Sequence, residues 1–303
     1  MDLTALFDRP EQMLLIGVLN GVIYGLMALG IALVYRGTRT INFAQGELGT
    51  LSLFAAWWLS TDLGLPWFIG ALGALALAGG VGVGFERVVV RSMVQASRST
   101  VTVATIGLLT LLLAFELKFF GASPRHVDAP IGGRGIEIFD VFVSPTQMLS
   151  FVVLAGSAIG LGAALRRTDF GLGVLAAAQD PDATRLVGVP LARVTAFVWG
   201  LGAVLAAVAA LLNEPTIGTF APGFATLLFV KAIIAAVVGG LSNLNGAVVG
   251  GIVVGVVEQA INDVFAGAAF QNASLVGLVV MVLLVLLVLP GGIFAASRTR
   301  AAA

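Results

Sequence analysis

The chain has 303 residues, of which 59% are hydrophobic and only 11% charged, with 16 basic and 16 acidic side chains in balance. Soluble domains carry about 25% charged residues, so this composition excludes a soluble fold and identifies a polytopic membrane protein. The absence of cysteine excludes disulfides and thiolate metal sites, zero net charge argues against a nucleic-acid partner, and the lone His126 with few acids leaves no expected metal site.

Residues 1–11 carry Asp2, Asp8 and Glu11 without a basic leader, so no signal peptide is expected. Apolar stretches of spanning length follow at 12–35, 43–60, 66–86, 101–121, 147–165, 191–212, 225–240, 246–263 and 273–290. A crossing helix needs about 20 residues. Because 225–240 is short, nine spans and eight spans plus a half-helix fit equally. Lipid offers backbone groups no partners, and 39 glycines do not make alternating barrel strands. The expected fold class is therefore all-α: one domain over 1–303, a polytopic bundle of eight or nine transmembrane helices with a short helical element at 166–190 between spans.

The first span carries Gly17, Gly21 and Gly25 on one helix face, a stripe that lets another helix approach closely. Next comes TINFAQGELGT, residues 40–50, where Asn42 and Gln45 have capping-box spacing and can start the second span. Capping does not explain Glu47, one turn further in. An acid there costs roughly 2.5–3.5 kcal/mol at a lipid-facing midplane, so it is expected to face protein or a wet cavity. A structural hydrogen bond and a place on a transport path both remain open for it.

Arginines set the orientation. If the 87–98 loop (Arg87, Arg91, Arg98) is cytoplasmic, alternation puts Arg36, Arg39, Arg166, Arg167, Arg185, Arg298 and Arg300 on the same side. The other side has Arg9, Lys118, Arg125 and Arg134. This positive-inside asymmetry puts the N-terminus outside and the C-terminus in the cytoplasm. The 122–146 segment then becomes the largest external loop, read as solvated, with His126 at its surface rather than a ligand.

The stretch 166–190, RRTDFGLGVLAAAQDPDATRLVGVP, is polar yet built like short helices. Asp180 can cap a helix beginning at Pro181, with Asp182 against its dipole. Gly188 and Pro190 stop it, and Arg166, Arg167 and Arg185 make a basic rim. A capped basic element between apolar spans is expected to dock a cytoplasmic partner.

Beyond it, Asn213, Glu214 and Pro215 are expected to end the 191–212 helix. Lys231 and Glu258 lie in neighbouring spans and can pair, which lowers their desolvation cost. A structural pair and a translocation role both fit. Between them GGLSNLNGAVVGG, residues 239–251, brackets Ser242, Asn243 and Asn245 with glycines. It reads as a tight turn between closely packed helices, with a gating contribution open.

Taken in order, INFAQGELGTL at 41–51, ERVVVRSM at 86–93, AAAQDPDATRLVGVP at 176–190, VVGGLSNLNGAVVGG at 237–251 and LPGGIF at 289–294 make the chain resemble the permeases of branched-chain amino acid ATP-binding cassette (ABC) importers. The resemblance runs from about residue 12 to 294. It implies a multi-pass subunit of the bacterial cytoplasmic membrane, paired with a related second permease. Two ATPase subunits would dock from the cytoplasm, and an external binding protein would deliver the substrate. It implies an ATPase-coupling role for Ala176, Ala177, Gln179, Asp180, Pro181, Arg185 and Gly188. Gln179 stands where an acid is usual, and Gln45 where the family commonly has histidine. Translocation-path candidates are Asn42, Gln45, Glu47, Lys231, Ser242 and Glu258.

The chain lacks G-x-x-x-x-G-K-[ST], so ATP and Mg²⁺ are expected in the partner subunits, with no cofactor and no catalytic residue here. Branched-chain or other hydrophobic amino acids are the expected cargo, with urea or short amides as the alternative. A stand-alone channel or ion-coupled carrier would instead use Glu47, Glu116, Lys231 and Glu258 as coupling charges, but needs no docking segment at 169–190. A structural scaffold leaves those charges unexplained.

Overall fold

The computed structural model describes residues 9–93, 96–179, 184, 189–266 and 273–294. Among them are ten α-helices: α1 Pro10–Thr38, α2 Gln45–Trp57, α3 Trp67–Phe85, α4 Arg98–Phe120, α5 Pro145–Arg167, α6 Asp169–Gln179, α7 Leu191–Ile217, α8 Phe224–Gly239, α9 Leu244–Val264 and α10 Ala273–Val288. A π-helical turn, Trp58–Asp62, prolongs α2, and another, Glu86–Val90, prolongs α3. The described residues include one hairpin, β1 Ile136–Ile138 against β2 Val141–Val143.

Six helices are long and apolar enough to cross a membrane: α1, α3 with its extension, α4, α5, α7 and α9. With α2, α8 and α10 they fall on the stretches read from the sequence. At 16 residues each, α8 and α10 reach about 24 Å, short of the roughly 30 Å hydrocarbon core. From α1 to α9 the chain reverses direction from one span to the next. One membrane face therefore collects the α1–α2, α3–α4, α5–α7 and α8–α9 junctions, and is rich in arginine. The opposite face carries the 121–144 segment and the α7–α8 junction.

Local chemistry sets the helix ends. Pro145 follows Ser144, whose hydroxyl accepts from the N–H of Gln147 while the Gln147 side chain returns to the Ser144 N–H. Ser97 accepts from Thr100 N–H at the start of α4, and Asn243 from Gly246 N–H at the start of α9. Helix α1 closes on Arg39 at φ 56°, whose N–H bonds the Tyr35 carbonyl.

Two sequence expectations are corrected here. The N-cap position of α2 is Ala44, not Asn42. The Asn42 carboxamide accepts instead from Ala44 N–H at 3.1 Å, and the Gln45 amide turns inward to the Met27 carbonyl at 3.4 Å. The helix starts two residues later than the capping box requires. Likewise α7 does not stop at Asn213. It runs past Pro215, which sits near its end, and closes at Gly218, φ 89°, with an N–H bond to the Glu214 carbonyl.

Helices α1 and α7 form the centre. From Val22 to Val34 every α1 residue is buried, as expected of a helix apolar on all sides. Helices α3, α4, α5 and α10 form the rim and expose Leu72, Leu111, Ile159 and Leu287, a surface suited to lipid. The glycine stripe of α1 lies against α9: a methyl at Gly17 would stand 2.6 Å from Val256 Cα, and one at Gly21 2.6 Å from Ile252 Cα. The turn between α8 and α9 is equally tight, with Gly239 and Gly246 backbone to backbone.

Candidate functional site

Polar groups inside the bundle gather in two clusters. In the first, Lys231 of α8 reaches Glu258 of α9, Nζ to Oε1 2.7 Å. It also donates to the Tyr24 hydroxyl of α1 at 3.2 Å. The close α1–α9 approach at the glycine stripe carries Tyr24 and Glu258 to the same ammonium. Side-chain exposure is 18% for Lys231 and 8% for Glu258. The second carboxylate oxygen of Glu258 is buried without a hydrogen-bond partner.

The second cluster surrounds the start of α8. Thr226 donates its hydroxyl to Glu47 of α2, and Thr50 accepts from Ala225 N–H at 3.0 Å. That N–H is one of the donors a helix start leaves without an internal partner. Glu116 of α4 faces Glu47 and the backbone of Gly223. Glu47 and Glu116 are both fully buried. The positive end of α8 favours acids here. Gln45 points away from this cluster, toward α1.

Ser242 is exposed in the α8–α9 turn, beyond the end of α8 and apart from both clusters. Asn42 is buried in the α1–α2 connection, beside Phe43, whose N–H donates to Thr105 of α4 at 3.1 Å. Of the six path candidates, Lys231 and Glu258 pair through their side chains, the Gln45 N–H donates to the Asn42 carbonyl at 3.2 Å, and Glu47 and Ser242 stand apart from these and from each other.

At the arginine-rich face, α6 follows α5 directly, and Thr168 accepts from Gly171 N–H at 3.0 Å. In α6, Ala177 is buried, Ala176 half-buried and Gln179 exposed. Asp180, Pro181, Asp182, Arg185 and Gly188 lie outside the described residues. A cavity of about 710 Å³ adjoins α6, lined by Arg39, Glu86, Arg91, Arg98, Ala177 and Thr195 among others. Its wall is fixed by Arg91, which donates to Glu86 at 2.9 Å and to the Ala192 carbonyl at 2.8 Å, while Thr195 donates to Glu86 at 2.6 Å.

The opposite face is less solvated than its sequence suggests. Arg125 pairs backbone to backbone with Phe220, and its guanidinium lies 3.8 Å from the Trp57 ring centroid. The carboxylate of Glu214, fully buried, accepts from Val127 N–H and lies 3.0 Å from His126 Nδ1. His126 is half-exposed, yet it anchors the segment rather than standing free on it. A hairpin turn with Phe139 and Asp140 at φ 51° and 59° fills the rest.

Sequence reasoning did not find Tyr24, Thr226, Thr195 or the Glu214 anchor. Tyr24 carries a signal: a phenol in the middle of a long apolar span needs a partner for its hydroxyl. The threonines carry none, because a hydroxyl in a helix usually satisfies itself on the preceding turn.

Residues 13–289 match the model of a family described as branched-chain amino acid transport system, permease component. The chain is 31% identical over 285 residues to the high-affinity branched-chain amino acid transport system permease protein BraD of Pseudomonas aeruginosa, covering 90% of this chain and 92% of that protein. It is 28% identical over 294 residues to LivH, a permease protein of the same description from Salmonella typhimurium, covering 93% and 94%. A probable branched-chain amino acid permease protein, LivH, of Methanocaldococcus jannaschii is 26% identical over 299 residues, covering 94% and 93%.

Proposed function

Because this chain belongs to the family of branched-chain amino acid transport permease components, we propose that it forms one half of a translocation path for branched-chain or other hydrophobic amino acids. It is the membrane subunit of an ABC importer, a multi-pass protein and a transport component. On our reading a related second permease supplies the other half. Two ATPase subunits use ATP and Mg²⁺ at the arginine-rich face, and a binding protein delivers substrate to the opposite one. The positive-inside rule makes the arginine-rich face cytoplasmic, with the N-terminus outside, the C-terminus inside and the whole in a bacterial cytoplasmic membrane.

The observation that carries this reading is α6. It is a short helix at the arginine-rich face, packed against α5, α7 and α1, and it opens the coupling segment 166–190. ATP-driven closure of partner subunits must enter the membrane through something stiff. A helix seated on three spans transmits a push that a coil would absorb. Ala176, Ala177, Gln179, Asp180, Pro181, Arg185 and Gly188 are assigned to that contact. Asn42, Gln45, Glu47, Lys231, Ser242 and Glu258 are assigned to the path and its gating.

The test is purification of the chain with its ATPase partners, followed by reconstitution into vesicles. The expected result is leucine uptake that needs ATP, the ATPases and the loaded binding protein. Uptake persisting without any ATPase subunit would overturn the reading in favour of a channel or carrier.

A further inference from the structure

An α-amino acid crosses as a zwitterion, and inside a membrane protein both of its charges need partners. The Lys231 cluster has the complementary free valences. An ammonium has three N–H donors, and Lys231 directs one to Glu258 at 2.7 Å and one to Tyr24 at 3.2 Å. One donor remains. On Glu258, Oε1 is taken by Lys231 and the Tyr24 hydroxyl also contacts the carboxylate, while Oε2 is buried with its remaining lone pair unfilled. One acceptor remains. A buried ion pair kept only for stability gains from having its remaining lone pairs and protons satisfied, and this one leaves a donor and an acceptor side by side.

The other buried acids do not offer this. Glu47 and Glu116 are both fully enclosed, and no cation is paired with them among the described residues. Lys231 keeps 18% of its side chain exposed and Glu258 8%, so the edge of this pair, unlike those acids, reaches the surface. It sits in the middle of α8, opposite Tyr24 in the middle of the 29-residue α1, which is membrane depth.

We propose that Lys231 and Glu258 form a zwitterion clamp. The free N–H of Lys231 holds the α-carboxylate of the passing amino acid, Glu258 Oε2 accepts from its α-ammonium, and Tyr24 orients the lysine. The clamp would accept α-amino acids as a class and leave side-chain choice to other groups. The inference rests on the importer reading above and names the substrate chemistry of that path.

The experiment uses the complete importer in vesicles and compares wild type, Lys231→Met, Glu258→Gln and the double variant. Uptake of leucine, ATP hydrolysis stimulated by loaded binding protein, and Tm are all measured. Each single variant leaves an uncompensated buried partner and is expected to lose stability. The double variant removes both charges and is expected to recover wild-type Tm, as neutral replacements of buried pairs often do. It should retain stimulated ATP hydrolysis yet lose uptake at least tenfold.

Recovery of uptake together with Tm would make the pair structural and overturn the clamp. If the double variant does not assemble, Lys231→Arg decides. Arginine keeps the charge and the pair but presents a rigid fork, so an unchanged Tm with a several-fold shift in apparent KM is expected, and an unmoved KM overturns the clamp. A wild-type importer that takes up no amino acid would overturn the importer reading and the clamp together. Uptake by both wild type and double variant would overturn the clamp alone.

Discussion

Glu214, at the end of α7, and His126, in the segment after α4, lie 3.0 Å apart across 88 residues of sequence. The same carboxylate accepts from Val127 N–H, and Val127 is itself buried. One acid therefore holds two successive residues of a surface segment against the end of a central helix. Together with the Arg125–Phe220 bridge, it joins the 122–146 segment to the α7–α8 junction. Whatever docks on that face meets a structure tied to α8, and so to both buried polar clusters.

Glu214→Ala is expected to free that segment. The change leaves the Val127 N–H buried and unpaired, a cost of about 1–3 kcal/mol. Hydrogen exchange at Val127 should accelerate, and Tm should fall by a few degrees. Glu214→Gln, which keeps an acceptor, should lie between the two. Unchanged exchange at Val127 in the alanine variant would show that the anchor contributes nothing.

The glycine stripe gives a sharper contrast. A methyl on Gly251 would run into the backbone of Gly25 and Gly21, whereas one on Gly80 of α3 meets nothing within 4 Å. Gly251→Ala is expected to force α1 and α9 apart and to cost about 1–3 kcal/mol, as overpacking does. Gly80→Ala should be neutral or stabilise by up to about 1 kcal/mol through helix propensity. Thermal denaturation of both variants in one detergent checks this, and equal Tm values would contradict the backbone contact.

These cases show which parts of the molecule could be read from its residues. Hydropathy and length locate the spans because lipid imposes one rule on the whole chain. The small-residue stripe at Gly17, Gly21 and Gly25 announces a close partner, but not that the partner is α9. Pairing between Lys231 and Glu258 follows from charge in adjacent spans. Glu47 meeting Thr226 and Glu116 does not, because it depends on α2, α4 and the start of α8 converging. The Asn42–Gln45 spacing misled for a related reason: Gln45 is turned inward to the Met27 carbonyl of α1, a neighbour that local spacing does not show. Anchoring of the 122–146 segment was hidden because its partner, Glu214, looks in sequence like part of a helix stop.

The wall of the cavity beside α6 depends on Glu86, whose side chain is 2% exposed and held by Arg91 and Thr195. Arg91→Ala removes the compensating charge and the bond to the Ala192 carbonyl. It is expected to lower Tm, whereas the double variant Arg91→Met with Glu86→Gln should recover most of the loss, because no uncompensated charge then remains. A double-mutant cycle read by Tm measures this. Strict additivity of the two single effects would mean that the pair does not couple.

Glu47→Gln is expected to lower transport more than stability. Glutamine still offers an oxygen to the Thr226 hydroxyl, so the α2–α8 contact persists, but the carboxyl facing Glu116 is gone. Initial uptake rates and Tm should be measured side by side. Wild-type transport with an altered Tm would assign Glu47 a structural hydrogen bond alone.

The most direct probe of coupling is Gly171 in α6. A methyl there would strike the Ala164 carbonyl and the Leu165 backbone of α5, so α6 is pressed onto the end of the preceding span. Gly171→Val must lift α6 away from α5 while leaving the buried contacts among α1, α7, α8 and α9 in place. Overpacking of this kind costs about 1–3 kcal/mol. The variant should therefore insert and bind its ATPase partners, and ATP hydrolysis should continue. Uptake per ATP hydrolysed should drop by at least about fivefold. If uptake and hydrolysis instead fall in proportion, α6 serves to hold the ATPase rather than to transmit its motion, and the stiffness assigned to it has no mechanical role.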